Sequence, residues 1–323
     1  MLRLAITLVV ALAAAAGSTA GASAQSYPTR TVRFILPFGP GSGTDTAARV
    51  VADRLAARWN TPVVVENRPG GDSLVSINAF ISANDDHTLL WMPVGNFAVH
   101  PFEHEKLSYD ADRDLLPIVN VTTLSLSASV PASLNVNSLR EFVDRVRSQP
   151  GKFNAAAASG AADFLMASLL QSNSLQMAKV PYRDIMQGPN DLAEGRLQLL
   201  MSSFTIVQAL MQAGRVKVLA VTGSRRAPNA PDVPTVAEAG FPALEFDSLG
   251  GLFGPRGMPL ATRERIADDV RAAVTADPSI AARLLATSQV LAIRGPVEFA
   301  AGIKGMQDKF AAIAKETGRR PSR

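Results

Sequence analysis

The sequence predicts an α/β fold of two lobes facing one another across a cleft. Strand-like and helix-like segments alternate along the chain, which implies right-handed crossovers and a largely parallel sheet in each half. Two extended segments, near residues 120–130 and 246–253, would carry the chain between the halves. No internal period of about 20–50 residues recurs, which argues against a solenoid.

The composition agrees with a globular chain. Of 323 residues, 47% are hydrophobic and 19% charged, too apolar and too weakly charged for disorder. The formal net charge of +4 is scattered in ones and twos, so nothing marks a nucleic-acid surface. The absence of cysteine excludes disulfides, thiolate metal sites and a cysteine nucleophile. Residues 1–24 read as a signal peptide: Arg3, then the apolar run Leu4 to Ala16, then Ala22-Ser23-Ala24 as a small-residue cleavage site. The run is shorter than the roughly 20 residues that span a bilayer, so an exported soluble chain is expected rather than an anchored one. Its lobes are expected at residues 25–124 with 248–323, and at 125–247.

Taken in order, Thr31–Pro37 reads as a strand, Gly39–Gly43 as a loop, and Thr44–Trp59 as a helix, with Ala47, Val51 and Leu55 on one face. The pattern repeats with a strand at Pro62–Val65, a turn to Gly71 and a helix at Ser73–Ala83. A third strand, His87–Met92, leads into a loop at Pro93–Asn96. The segment Leu115–Val130 is strand-rich, and Ser138 caps a helix that runs to Arg147. Further strands are expected at Asn154–Ala158, Met177–Pro181, Gln198–Met201, Val216–Val221 and Phe246–Phe253, with a helix at Phe164–Gln171. Helices at Pro259–Ala276, Ser279–Ala286 and Pro296–Thr317 finish the chain.

The chemistry is expected at the strand-to-helix junctions. Phe38-Gly39-Pro40-Gly41-Ser42-Gly43-Thr44-Asp45 lets the backbone turn tightly and approach a ligand closely. Ser42 or Thr44 can cap the following helix, and Asp45 suits its first turn. Free N–H groups at a helix start suit a carboxylate or phosphate. Gly70-Gly71-Asp72-Ser73 offers the same geometry, and neighbouring parallel strands would bring both junctions onto one anion. The first segment is neither a P-loop, a dinucleotide fingerprint nor a nucleophile elbow. Gly95 and Asn96 follow the third strand. In the second half, Ser159, Gly160, Ala161 and Asp163 repeat the helix-start logic, while Tyr182, Asp184 and Ser202 end later strands. His100-Pro-Phe-Glu-His104 spaces two imidazoles four apart. Glu103 and Glu105 lie nearby, but Pro101 opposes a continuous helix and no third strong ligand is close in sequence, so a surface loop without metal is expected.

On these residues the sequence resembles the Bug family, the extracytoplasmic solute receptors of tripartite tricarboxylate transporters. The resemblance rests on Pro37-Phe38 with Gly41, Thr44-Asp45 and Ala48-Arg49, and on Pro62-Val63-Val64-Val65-Glu66-Asn67-Arg68-Pro69-Gly70. It continues at Val180-Pro181-Tyr182, Leu219-Ala220-Val221-Thr222 and the run Pro231 to Gly240. It implies a periplasmic, Venus-flytrap receptor with two α/β lobes, no enzymatic activity and no cofactor. It also implies a small organic carboxylate or amino-acid-like solute, held at Phe38–Asp45 and Gly70–Ser73. A monomer is expected, with membrane transporter subunits or a sensor kinase as partner.

The departures are specific. Gly39-Pro40-Gly41-Ser42 stands where the family usually carries Pro-Ala-Gly-Gly. Asp72 places a negative charge in the second loop, and Asp184 and Ser202-Ser203 replace the family's Gly and Asp-Asn. Two readings follow: a receptor whose carboxylate solute also bears a cationic or amide group for Asp163 and Asp184, or a homologue that has lost the solute site and docks another partner.

Overall fold

The protein is described by a computed structural model covering residues 27–158, 160–182 and 185–320. The signal segment at 1–24, Ser159 and Asp184 lie outside the described residues. The fold is α/β, as the alternation predicts. In the first half, β1 (Val32–Leu36) leads to α1 (Gly43–Trp59), β2 (Val63–Asn67), α2 (Leu74–Ala83) and β3 (Thr88–Pro93). The strand β1 lies between β2 and β3, parallel to both, so the loops after all three leave the same edge of the sheet. The apolar stripe of α1 comprises Ala47, Val50, Val51 and Leu55, all buried in one core with Phe34 and Trp91 of the strands. Burial of each of the larger side chains contributes about 1.5–3 kcal/mol.

Short helices α3 (Val94–Phe97), α4 (His100–Glu103) and α5 (Ala111–Asp114) precede the 16-residue strand β4 (Leu116–Pro131). In the second half, α6 (Leu139–Arg147), β5 (Phe153–Ala157), α7 (Ala161–Ser172), β6 (Met177–Lys179), α8 (Gly188–Ala193), β7 (Leu199–Ser203), α9 (Phe204–Gln212) and β8 (Val216–Val221) repeat the architecture. Here β5 lies between β6 and β7, again parallel to both. The chain returns through β9 (Asp247–Gly254), α10 (Leu260–Thr275), α11 (Ser279–Ala286), β10 (Gln289–Arg294) and α12 (Pro296–Glu316).

The strand β4 joins the halves by changing neighbours. Up to Ser125 it pairs antiparallel with β9 and β10, and from Leu126 onward with β7 and β8. A shared core crosses the same line: Phe164 of α7 meets Phe310 of α12 at 5.6 Å, and Phe310 meets Phe246 at 5.4 Å.

Four expectations need correction. Pro93–Asn96 is not wholly loop, because β3 extends to Pro93 and Gly95 and Asn96 lie inside the single turn α3. The helix expected from Phe164 begins at Ala161, where Gly160 (φ 70°) ends the loop in a left-handed conformation. The last helices are interrupted by β10, a short strand with no glycine or proline before it to announce it. The His100–His104 segment is not a surface loop: His100 is fully buried, and Pro101 sits in the first turn of α4, where it removes no helical hydrogen bond.

Candidate functional site

The first loop is organised around a buried carboxylate. Ser42, not Thr44, caps α1, its Oγ accepting the Asp45 N–H at 3.2 Å. The Asp45 side chain turns back into the loop. Its Oδ2 accepts from the Gly41 N–H and from Arg49 Nε, both at 2.9 Å, and its Oδ1 accepts from Asn67 Nδ2 at 2.8 Å. Burial opposes the charged form, but the bonds from Arg49, Asn67 and Gly41 outweigh it and hold the carboxyl below the usual carboxylate range. Gly41 adopts φ 82°, which a side chain would strain although the space around it is open. Asn67, at the end of β2, also donates to the Phe38 carbonyl at 2.8 Å and so ties the second junction to the first.

The second loop runs through four successive left-handed residues: Gly70 (φ 121°), Gly71 (54°), Asp72 (52°) and Ser73 (73°). At the two non-glycine positions this costs roughly 1–2 kcal/mol each, so surrounding bonds must impose it. They do. His100 Nε2 donates to the Asp72 carbonyl at 2.9 Å, Asn96 Nδ2 donates to Ser73 Oγ at 2.9 Å, and Ser76 Oγ donates to the Ser73 carbonyl at 2.7 Å. A carbonyl can only accept, so His100 carries its proton on Nε2, and Nδ1 accepts from the Tyr109 hydroxyl at 2.8 Å. Burial holds this imidazole below the usual histidine range and hence neutral. The Asp72 carboxylate turns toward His104, with Oδ2 3.6 Å from its Nε2. Burial and the Asp72 charge push the neighbouring Glu103 carboxyl up to about 7, against the pull of Arg319.

The loops thus form one connected patch: Asn67 links the first two, and Asn96 links the third to the second. Several N–H groups there find no acceptor among the described residues: Gly43 and Thr44, Gly71 and Asp72, and Gly95 and Asn96. The second half meets the patch at Gly160 and Ala161. A Cβ on Gly160 would lie 3.1 Å from the Gly95 carbonyl, and one on Gly95 would lie 3.1 Å from the Ala161 Cβ, so the approach depends on both glycines. The N–H groups of Ala161 and Ala162 also lack acceptors among the described residues. Two cavities, of about 220 and 200 Å³, lie away from these loops. One is lined by Glu245, Leu249, Arg294 and Lys309, the other by Leu169, Phe241 and Leu244.

The remaining candidates separate. Asp163 is paired with Lys179 Nζ and an Arg319 guanidinium nitrogen, each at 2.5 Å, so it offers no free charge to a cationic solute group. The Tyr182 hydroxyl is engaged by Asp191, which with burial raises it to about 12. Ser202 is fully buried, and its Oγ donates to the Ser203 carbonyl at 3.3 Å. Gly39 stands beside the first loop with open space around it. Sequence reasoning missed Asn67 as a linker between junctions and Arg319 as a partner of Asp163. Asn67 had a local signal, as a polar residue at a strand end. Arg319 had none, being 156 residues from its partner.

Comparison with known proteins agrees with this architecture. The family model described as "Tripartite tricarboxylate transporter family receptor" matches residues 47–295. A UPF0065 protein from the tcbD-tcbE intergenic region of Pseudomonas sp. (strain P51) is 32% identical over 83% of this chain and 80% of its own. BugT of Bordetella pertussis (strain Tohama I) is 30% identical over 76% of each chain. Among solved structures, Rpa4515 of R. palustris with adipate is 25% identical with a TM-score of 0.77, covering 91% of this chain and 99% of that one. MatC of Rhodopseudomonas palustris with bound malate is 25% identical with a TM-score of 0.75, covering 90% and 100%. No helix among the described residues is long and apolar enough to cross a membrane. With the match extending over most of its length, the chain belongs to the receptor family of tripartite tricarboxylate transporters, a family of periplasmic solute-binding proteins.

Proposed function

We propose that this chain, exported by residues 1–24, captures a small carboxylate-bearing solute between two lobes for uptake or sensing, without catalysis or a cofactor. The lobes are residues 25–124 with 248–323, and 125–247. One observation carries the reading: N–H groups without acceptors among the described residues gather at the starts of α1 and α3, in the turn before α2 and at the start of α7, and the halves touch between α3 and α7. Such groups recognise a carboxylate without a countercharge. Solute bound on the first lobe gains the α7 amides only when the lobes close, so its differential affinity drives closure.

The solute class follows from the charges. Asp163 is already neutralised by Lys179 and Arg319, and Asp72 is turned toward His104. A plain mono- or dicarboxylate therefore fits better than an amino-acid-like solute. The carboxylates bound by Rpa4515 and MatC support that class. Membrane transporter subunits or a sensor kinase would then read the closed form of a monomer.

A thermal-shift panel of mono-, di- and tricarboxylates tests the reading. At a hundredfold excess over Kd, the true solute stabilises by about 2.7 kcal/mol and raises Tm by several degrees. A panel with no shift overturns it and favours a homologue that docks a protein partner through this face.

A further inference from the structure

The strained second loop brings Asp72 against two histidines that lie 28 and 32 residues further along the chain. Asp72 Oδ2 is 3.6 Å from His104 Nε2 and 4.0 Å from His100 Nε2. One ligand atom from each of the three residues lies within 4.8 Å of the others. Tetrahedral zinc, with bonds of about 2.0–2.2 Å, holds its ligand atoms roughly 3.3–3.5 Å apart. The two Asp72 contacts need to shorten by less than about 1 Å to reach that spacing, and the third pair lies within 4.8 Å. We infer that Asp72, His100 and His104 form a binding site for a zinc-class divalent cation, placed directly behind the loop whose amides face the proposed solute.

Three independent features support the assignment. His104 Nε2 is shut off from solvent and has no hydrogen-bond partner among the described residues, which is costly for a nitrogen unless something else engages it. The His100–Tyr109 contact supplies an orienting partner: to ligate, His100 gives up its bond to the Asp72 carbonyl and carries its proton on Nδ1 instead, where the Tyr109 oxygen accepts it, as metal-bound imidazoles commonly require. The His100 and His104 rings pack edge to face, at 88° with centroids 5.0 Å apart, and the Nε2 atoms of both lie within 4.0 Å of the same Asp72 oxygen. Imidazole and carboxylate donors suit zinc, nickel or cobalt rather than calcium or magnesium. Three protein ligands leave a fourth position for water.

The second grouping of acids with a histidine, Asp85, Asp86 and His87, makes a built-in control. Both nitrogens of His87 are already used. Nε2 accepts the Thr29 N–H at 3.0 Å, and Nδ1 lies 2.6 Å from Asp86 Oδ1. That grouping therefore has no counterpart to His104, whose Nε2 has no hydrogen-bond partner among the described residues.

The experiment uses untagged mature protein stripped with chelator and titrated with zinc against a chromophoric competitor. One zinc per chain is expected. His104→Gln and Asp72→Asn should each weaken it at least about tenfold, and Tyr109→Phe, a positioning change, by about tenfold or less. Asp86→Asn should leave it unchanged. Cobalt(II) should give the visible bands of a tetrahedral nitrogen–oxygen site, which reports on the wild-type chain even if a variant fails to fold. Absence of stoichiometric uptake, an octahedral cobalt spectrum, or uptake indifferent to His104→Gln and Asp72→Asn overturns the site and leaves a simple His104–Asp72 ion pair. None of these readouts involves the solute, so the site and the receptor reading fail separately.

Discussion

Asp45 and Asp163 occupy the same place in the two halves of the molecule. Each is the third residue of the helix that follows a central parallel strand, and each is nearly buried. Their surroundings differ. Asp45 is satisfied by Gly41, Arg49 and Asn67, none more than 22 residues away, and all part of the first half. Asp163 is satisfied by Lys179 and by Arg319, which arrives from the end of the chain. The guanidinium of Arg319 also lies 4.1 Å from the centroid of the Phe164 ring, a cation–π contact. The first half therefore carries a loop organised by its own neighbourhood. The second half carries one whose charge balance depends on how the C-terminal segment docks.

The sharpest way to break the contrast is to unseat that docking. Phe310→Ala removes a fully buried ring that meets both Phe164 and Phe246. It should cost about 3–5 kcal/mol in urea denaturation. A loss below about 1 kcal/mol would show that α12 does not hold the second half.

Asp45→Ala comes next. It leaves the Gly41 N–H and the donors of Arg49 and Asn67 without their acceptor, at a cost of about 2–3 kcal/mol. The sign with pH is fixed by the lowered folded-state carboxyl. Its contribution is fully present above the unfolded value, near 3.9, and is lost as pH falls through the folded value below that. Wild type and variant should thus converge in stability on acidification, followed by denaturation midpoints from neutral pH downward. Parallel curves would remove Asp45 from the account.

The same contrast explains what could be read in advance. The strands other than β10, with α1, α2 and the cap Ser138, were legible because periodicity and capping are local: Val32–Leu36, Val216–Val221 and Ser279–Ala286 fall where the pattern puts them. The first two junctions were legible for the same reason, through their glycines. What escaped depends on distant partners. The His100–His104 segment reads as an exposed loop because proline discourages a long helix and no third strong ligand is near in sequence. Its burial comes from Asp72 and Tyr109, which the fold brings to it. Asp163 looked like a free acceptor because Lys179 and Arg319 are visible only once α7 and α12 pack together. Asp72 looked like a charge in the solute's way because nothing local shows a left-handed backbone turning it toward His104.

Two smaller effects sharpen the contrast at the loops themselves. Gly41→Val forces a β-branched residue into φ 82° and so distorts the first loop without any steric clash. Solute affinity measured by calorimetry should fall about tenfold with the cooperative unfolding transition retained. Unchanged affinity would mean that the Gly41 backbone does not shape the anion site.

Arg319→Ala should have the smallest effect. The arginine is partly exposed and Lys179 remains to pair Asp163, so solvent screening leaves a stability loss of no more than about 1 kcal/mol. Because Arg319 ties the C-terminal segment to the first turn of α7, its loss should appear in the balance of open and closed forms. Small-angle scattering of the solute-free variant should give a larger radius of gyration than wild type, and saturating carboxylate should restore the compact value. A variant already as compact as wild type without solute would show that the second half holds its position through the aromatic core alone, and that the Asp163 pair only balances charge.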